Sequence, residues 1–124
     1  MDINNPPNQV NFLRCDTGEN IRCKIIPLPA WNMDTNNSSS FNHNLGTLWK
    51  NIIDCQLVIK NDADNGRWTG AGFGDAVDPN LSSMGIQGID SNQVYAYRRT
   101  GGQFDAAAFS GGGSRGICVL WYWV

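Results

Sequence analysis

The sequence predicts an all-β protein, a single β-sandwich of jelly-roll-like or Greek-key type, on three observations. Short apolar segments with period-two alternation recur along the chain. Gly, Asn and Pro turn signals separate them. No stretch carries a convincing amphipathic helical pattern, so helices are not available to cover a sheet.

The segment that dominates the pattern is Gly116-Ile117-Cys118-Val119-Leu120-Trp121-Tyr122-Trp123-Val124. It is too short and too rich in β-branched and aromatic residues for a helix, and the glycine-rich stretch Ser110–Ser114 precedes it, so a strand is expected. Alternation places Ile117, Val119, Trp121 and Trp123 on one face and Cys118, Leu120, Tyr122 and Val124 on the other. Both faces are apolar, so the strand needs cover on both sides. Its loss is expected to unfold the domain.

Residues 1–19 read as an extended arm and residues 20–124 as the sandwich domain. The arm is polar, with Pro6-Pro7 favouring extended backbone and Val10, Phe12 and Leu13 as its apolar anchors. Two placements fit it equally: wrapped on its own domain or inserted into a neighbour. Asn20–Leu28 alternates Ile21, Cys23 and Ile25 against Arg22 and Lys24, a strand with its polar face expected in solvent and a proline-fixed end. Asp34–Ser40 is loop composition. Phe41–Leu45 suggests a short strand, and Thr47–Ile52 a short helical or turn segment carrying Trp49.

Ile53–Lys60 is the second strong strand, with Ile53, Cys55, Leu57 and Ile59 on one face, and it is expected to pair near the C-terminal strand. Asn61–Gly66 is a turn, and Arg67–Pro79 reads as a glycine-rich loop bearing Trp68 and Phe73. Ser83–Ile89 is a weaker strand and Gln93–Arg99 a better one. Ala106–Ala108, bracketed by Phe104 and Phe109, fits a strand or a turn.

Composition excludes several classes. Nine Lys and Arg stand against eleven Asp and Glu, so no basic field gathers nucleic acid or anionic lipid. No apolar run reaches the roughly twenty residues of a membrane span, and the start lacks the basic and apolar regions of a secretory signal. Neither membrane insertion nor Sec export is expected. Cys15, Cys23, Cys55 and Cys118 are expected as reduced thiols, two of them buried in strands. Neither a C-x-x-C pair nor a second histidine beside His43 is available for structural zinc.

No catalytic constellation emerges. Gly112-Gly113-Ser114-Arg115-Gly116 has the spacing of a nucleophile elbow, but it precedes a strand and no histidine follows it. Gly70-Ala71-Gly72-Phe73-Gly74 neither follows a clear strand nor opens a helix, so the phosphate-cradling geometry is missing. Asp62-Ala63-Asp64-Asn65-Gly66 has its glycine one place early for an EF-hand and no closing Glu. His43 lacks a nameable nucleophile or orienting acid, and a polar loop or strand-edge position is expected. An enzyme, a metal site and a cofactor are therefore not expected. Trp31, Trp49 and Trp68 stand among polar residues, where aromatics either close the ends of a sandwich or stack on sugars.

The order of landmarks resembles small structural proteins of tailed bacteriophages, chiefly fibre and other appendage domains. The segments that carry the likeness are Trp31-Asn32-Met33, His43-Asn44-Leu45-Gly46, Lys60-Asn61-Asp62-Ala63-Asp64, Gly74-Asp75-Ala76-Val77-Asp78, Asp90-Ser91-Asn92-Gln93-Val94, Arg99-Thr100-Gly101-Gly102-Gln103-Phe104-Asp105, and Arg115-Gly116 leading into the aromatic strand. The resemblance implies a non-enzymatic β-sandwich on a virion, commonly a homotrimer, assembled in the host cytoplasm and sometimes touching the host surface. The short arm has room for an attachment peptide but not for a shaft, which fits a fibre, decoration or adaptor component on capsid or tail. Within that expectation Pro6, Pro7, Val10, Phe12 and Leu13 form the assembly arm, which meets other virion proteins. With few other strongly apolar strands, Trp121 and Trp123 are expected to face a neighbouring subunit. The competing reading is a soluble glycan-binding, lectin-like module that uses Trp68, Arg67 and Phe73.

Overall fold

The computed structural model describes residues 13–70 and 84–124. Eight strands appear among them: β1 (Leu13–Arg14), β2 (Asn20–Pro27), β3 (Ser38–Asn42), β4 (Ile52–Lys60), β5 (Arg67–Gly70), β6 (Met84–Ile89), β7 (Gln93–Arg98) and β8 (Gly116–Trp123). Two antiparallel sheets result, one in the order β1-β2-β8-β4-β5 and one in the order β3-β7-β6. The protein is mostly β, as the alternation predicts. Pro6, Pro7, Val10, Phe12 and Phe73 lie outside the described residues, and of Leu13 only the backbone is described, paired with Ile21.

The C-terminal strand is central. β8 pairs with β2 on one side, Cys23 opposite Trp121 and Ile25 opposite Val119. On the other side it pairs with β4, Cys55 opposite Leu120 and Leu57 opposite Cys118. The buried side chains of both sheets form one hydrophobic cluster. Cys55, Leu57, Ile59, Cys118 and Leu120 enter it from the larger sheet, and Met84, Ile86, Val94 and Ala96 from the smaller. Each such aliphatic side chain contributes roughly 1.5–3 kcal/mol of transfer free energy, an upper figure.

Two expectations about faces need correction. Ile53 does not join Cys55, Leu57 and Ile59: a register shift between Ile52 and Asp54 inserts one extra residue, and Ile53 is 54% exposed while Ile52 packs against the core. A bulge of this kind breaks strict period two. In β2 the sides are reversed. Register with β8 puts Arg22 and Lys24 on the core side of the sheet, where Lys24 Nζ donates to the Asn44 carbonyl at 3.1 Å. Ile21, Cys23 and Ile25 point outward instead.

Other segments shift less. The short strand expected at Phe41–Leu45 begins earlier, at Ser38, and ends at Asn42. Gly46–Asn51 is a 3-10 turn, as is Ala107–Phe109. Arg67–Gly70, expected as loop, is strand β5, because Trp68 has Ile59 opposite it on the core face of β4.

Candidate interaction surface

On β8 the two apolar faces have different fates. Cys118 and Leu120 are fully buried and Tyr122 packs against the core. Ile117, Val119 and Trp121 on the opposite face are only half-buried, and Trp123 is exposed. The neighbouring β2 adds to this outer face. Its cross-strand pairs with β8 are Ile21–Trp123, Cys23–Trp121, Ile25–Val119 and Pro27–Ile117, and Val58 extends the last row onto β4. Ile25 is 60% exposed, more than any other large hydrophobic residue among those described. The rim turns polar on β4 and β5, with Asp54, Gln56, Thr69 and Arg67 on the same side. Exposed and half-buried apolar side chains in adjacent rows, with a polar rim, make this face the candidate interaction surface.

What holds this surface in place is the loop before β8. Arg115, 2% exposed, donates from Nε to the Trp31 carbonyl (3.0 Å), from Nη1 to the Lys60 carbonyl (3.0 Å) and Asp62 Oδ1 (2.9 Å), and from Nη2 to the Gly111 carbonyl (3.1 Å). One guanidinium thereby ties the loop to the segment after β2 and to the end of β4, and its charge is paired rather than stranded. Ser114 Oγ donates to the Leu28 carbonyl at 2.6 Å. Gly116 follows with φ +142°, and a Cβ there would lie 1.9 Å from the Val58 carbonyl oxygen, so only glycine lets β8 approach β4 this closely.

Asp62 is the other half of this clamp. Partial desolvation pushes its carboxyl up, but the Gly111 N–H, the Arg115 guanidinium and the Ser110 N–H outweigh that and leave its pKa below the usual value. Its oxygens are committed to these donors. The Asp62–Gly66 run is therefore a loop anchor, and among the described residues no group of three His, Cys, Asp or Glu side chains is placed to hold a metal. Ser114, in the elbow-like motif, sits beside Leu28 rather than beside an imidazole.

The aromatics singled out in the sequence are distributed as follows. Trp31 is buried and its Nε1 donates to the Asn36 carbonyl. Trp49 packs partly against the core from the first 3-10 turn. Trp68 meets Phe104 and Phe109 edge to face, with centroids at 6.1 and 5.3 Å, and the two phenyl rings meet each other at 5.0 Å. The Trp68 ring also lies where a Cβ on Gly66 would stand. Arg67, beside it in sequence, is exposed and paired with Asp64 at 2.5 Å. Sequence reasoning missed Arg115 and Arg98. The buried Arg98 donates from Nε to the Met33 carbonyl and pairs with Asp105 at 3.5 Å. An arginine in a glycine-rich loop has no periodicity to betray its burial.

All four cysteines are free thiols. Cys55 and Cys118 lie with their sulfurs 3.5 Å apart in the core. The hydrogen bond to Cys118 and burial push the Cys55 thiol pKa far up, which suppresses the reactive thiolate. Compared with known proteins, the chain has no significant match among family models, curated proteins or solved structures.

Proposed function

We propose that the protein is a structural component of a tailed-bacteriophage virion, a homo-oligomeric β-sandwich of jelly-roll-like or Greek-key type that serves as a fibre, decoration or adaptor piece on capsid or tail. It acts without catalysis. The observation that carries the oligomeric part is the exposed apolar face of β2 and β8, with its four cross-strand pairs and the Trp121 and Trp123 indoles. The landmark order of the sequence supports the virion part.

The occupant proposed for this face is a second copy of the chain. Its centre carries no charge, and aromatic and aliphatic residues of that kind dominate the cores of homo-oligomer interfaces. Residues 1–19 then act as the arm that reaches a neighbour or another virion protein, with a trimer as the favoured state. The lectin-like alternative built on Trp68 has no observation in its favour, since that indole is half-buried against two phenyl rings.

Analytical ultracentrifugation of the full chain tests the assembly, with Ile25→Lys and Trp123→Ala beside wild type. Wild type should sediment as an oligomer. Ile25→Lys places an unpaired ammonium in the centre of the contact and should give monomers whose circular dichroism and thermal midpoint match the wild-type fold. Trp123→Ala should weaken assembly more than folding. A wild-type chain that stays monomeric at high concentration with its arm intact overturns the reading, as does an Ile25→Lys oligomer of unchanged strength.

A further inference from the structure

The outer face of the smaller sheet has a different chemistry from the apolar one. β7 runs through its middle, and Val94, Ala96 and Arg98 point into the interior. Gln93, Tyr95 and Tyr97 take the other side, with Asn42, Ser40 and Ser38 of β3 opposite them in register. At one end of this face an open pocket of about 580 Å3 is lined by residues including Asn42, Asn44, Asp90, Asn92, Gln93 and Tyr95.

The pocket is organised before any ligand arrives. Asp90 Oδ1 accepts from the backbone N–H groups of Asn92 (2.8 Å) and Gln93 (2.7 Å), and Oδ2 accepts from the Tyr95 hydroxyl (2.6 Å). That last bond fixes the Tyr95 ring, which is 36% exposed. Gly88 stands opposite Tyr95 on β6, and nothing lies within 4 Å of where its Cβ would be, so no side chain at that position walls the ring off. The buried His43, which also lines the pocket, accepts the Leu45 N–H at Nδ1 (3.1 Å) and donates from Nε2 to the Asp90 carbonyl (2.8 Å), locking the two loops together.

The lining chemistry narrows the ligand. No lysine or arginine is among the described lining residues, and Lys24 Nζ, which reaches the lining residue Asn44, is engaged with its carbonyl, so no cationic Lys or Arg side chain lines the pocket for a phosphate. The single carboxylate has both oxygens occupied by internal donors, so it is not open to a cation. The side-chain amides of Asn42, Asn92 and Gln93 make no hydrogen bond to any described residue, and each offers both a donor and an acceptor. One fixed, half-open aromatic ring among free amides suits a molecule with an apolar face and a ring of neutral hydroxyls. We propose that this pocket binds a neutral carbohydrate, with the Tyr95 ring against a sugar face and Asn42, Asn92 and Gln93 reading its hydroxyls.

This site is separate from Trp68 and from the β2–β8 face, so it stands whether the chain assembles or not. The test is an array of neutral, sialylated and phosphorylated oligosaccharides probed with the full-length protein, followed by titration of the best neutral binder. Wild type should bind neutral glycans. Tyr95→Ala and Asn92→Ala should each weaken binding by about tenfold or more, Asn92→Ala with the wild-type thermal midpoint, and Arg67→Ala should leave binding unchanged. Binding of no neutral glycan, binding of anionic glycans alone, or affinity indifferent to both Tyr95→Ala and Asn92→Ala overturns the proposal.

Discussion

Replacing Arg115 by methionine keeps an aliphatic stem of similar length and removes the guanidinium. Four acceptors then lose a donor: the carbonyls of Trp31, Lys60 and Gly111, and the Asp62 carboxylate. Asp62 is one-third exposed and keeps its bonds from Gly111 and Ser110, so little is lost there. The Trp31 carbonyl belongs to a buried residue and accepts from Nε at the interior end of the guanidinium, where water is not a ready substitute. Hydrogen bonds from a charged donor contribute about 1.5–3 kcal/mol each, most where burial denies water, so losing the three carbonyl bonds costs about 3–5 kcal/mol. For 124 residues the unfolding entropy is roughly 0.26 kcal/mol/K, so a loss of about 4 kcal/mol lowers Tm by roughly 15 °C. Urea denaturation followed by circular dichroism reads the free energy directly. Arg115→Lys should fall between wild type and Arg115→Met, because an ammonium cannot span carbonyls from three segments at once. If Arg115→Met stays within about 1 kcal/mol of wild type, the loop is not held by this side chain and the account of the clamp is wrong.

Two further outcomes follow from the same region and from the pocket. Gly116→Ala puts a methyl group 1.9 Å from the Val58 carbonyl oxygen at a positive φ, so β8 must move away from β4. Backbone strain of about 1–3 kcal/mol, plus ladder hydrogen bonds lost at that end, should show as a lowered urea midpoint, and a wild-type midpoint would rule the close approach out. Asp62 and Asp90 both have carboxyl pKa values below the ordinary one, Asp90 chiefly through the Tyr95 hydroxyl. A lowered folded pKa means that the unfolded chain takes up protons first as pH falls, so the stability these groups contribute is present above about pH 4 and lost below it. The urea midpoint should therefore drop on acidification through that range, and the drop should be smaller in Asp62→Asn combined with Asp90→Asn. An equal acid dependence in the double variant would show that other groups set it.

Strand content was legible because burial on a sheet follows period two. Cys55, Leu57 and Ile59 on β4, and the pairing of β4 with β8, read directly from the pattern. The pattern names two faces but does not say which one is inward, and β2 shows why. Ile21, Cys23 and Ile25 read as a core face, yet register with β8 turns them outward beside Trp121 and Trp123. Ile53 was misplaced because a bulge leaves no mark in the local sequence. The two arginine clamps and the His43–Asp90–Tyr95 pocket were hidden for a related reason. They join positions far apart in the chain, such as His43 and Asp90, and only the fold brings those together.

The position of β8 between β2 and β4 has a consequence for how the protein comes into being. During synthesis β2 and β4 emerge well before the strand that joins them, and they do not pair with each other. Until Gly116–Trp123 arrives, two strand edges and the apolar side chains of Cys55, Leu57 and Ile59 wait without their central partner. Closure of the larger sheet is thus a late event built on long-range contacts, which is slow by nature. An interrupted chain would expose the very edges that pair indiscriminately with other chains. Completion of the larger sheet therefore rests on β8, which follows β1, β2, β4 and β5 in the chain: a molecule that has placed Trp121 has, by that act, joined the two halves of the sheet.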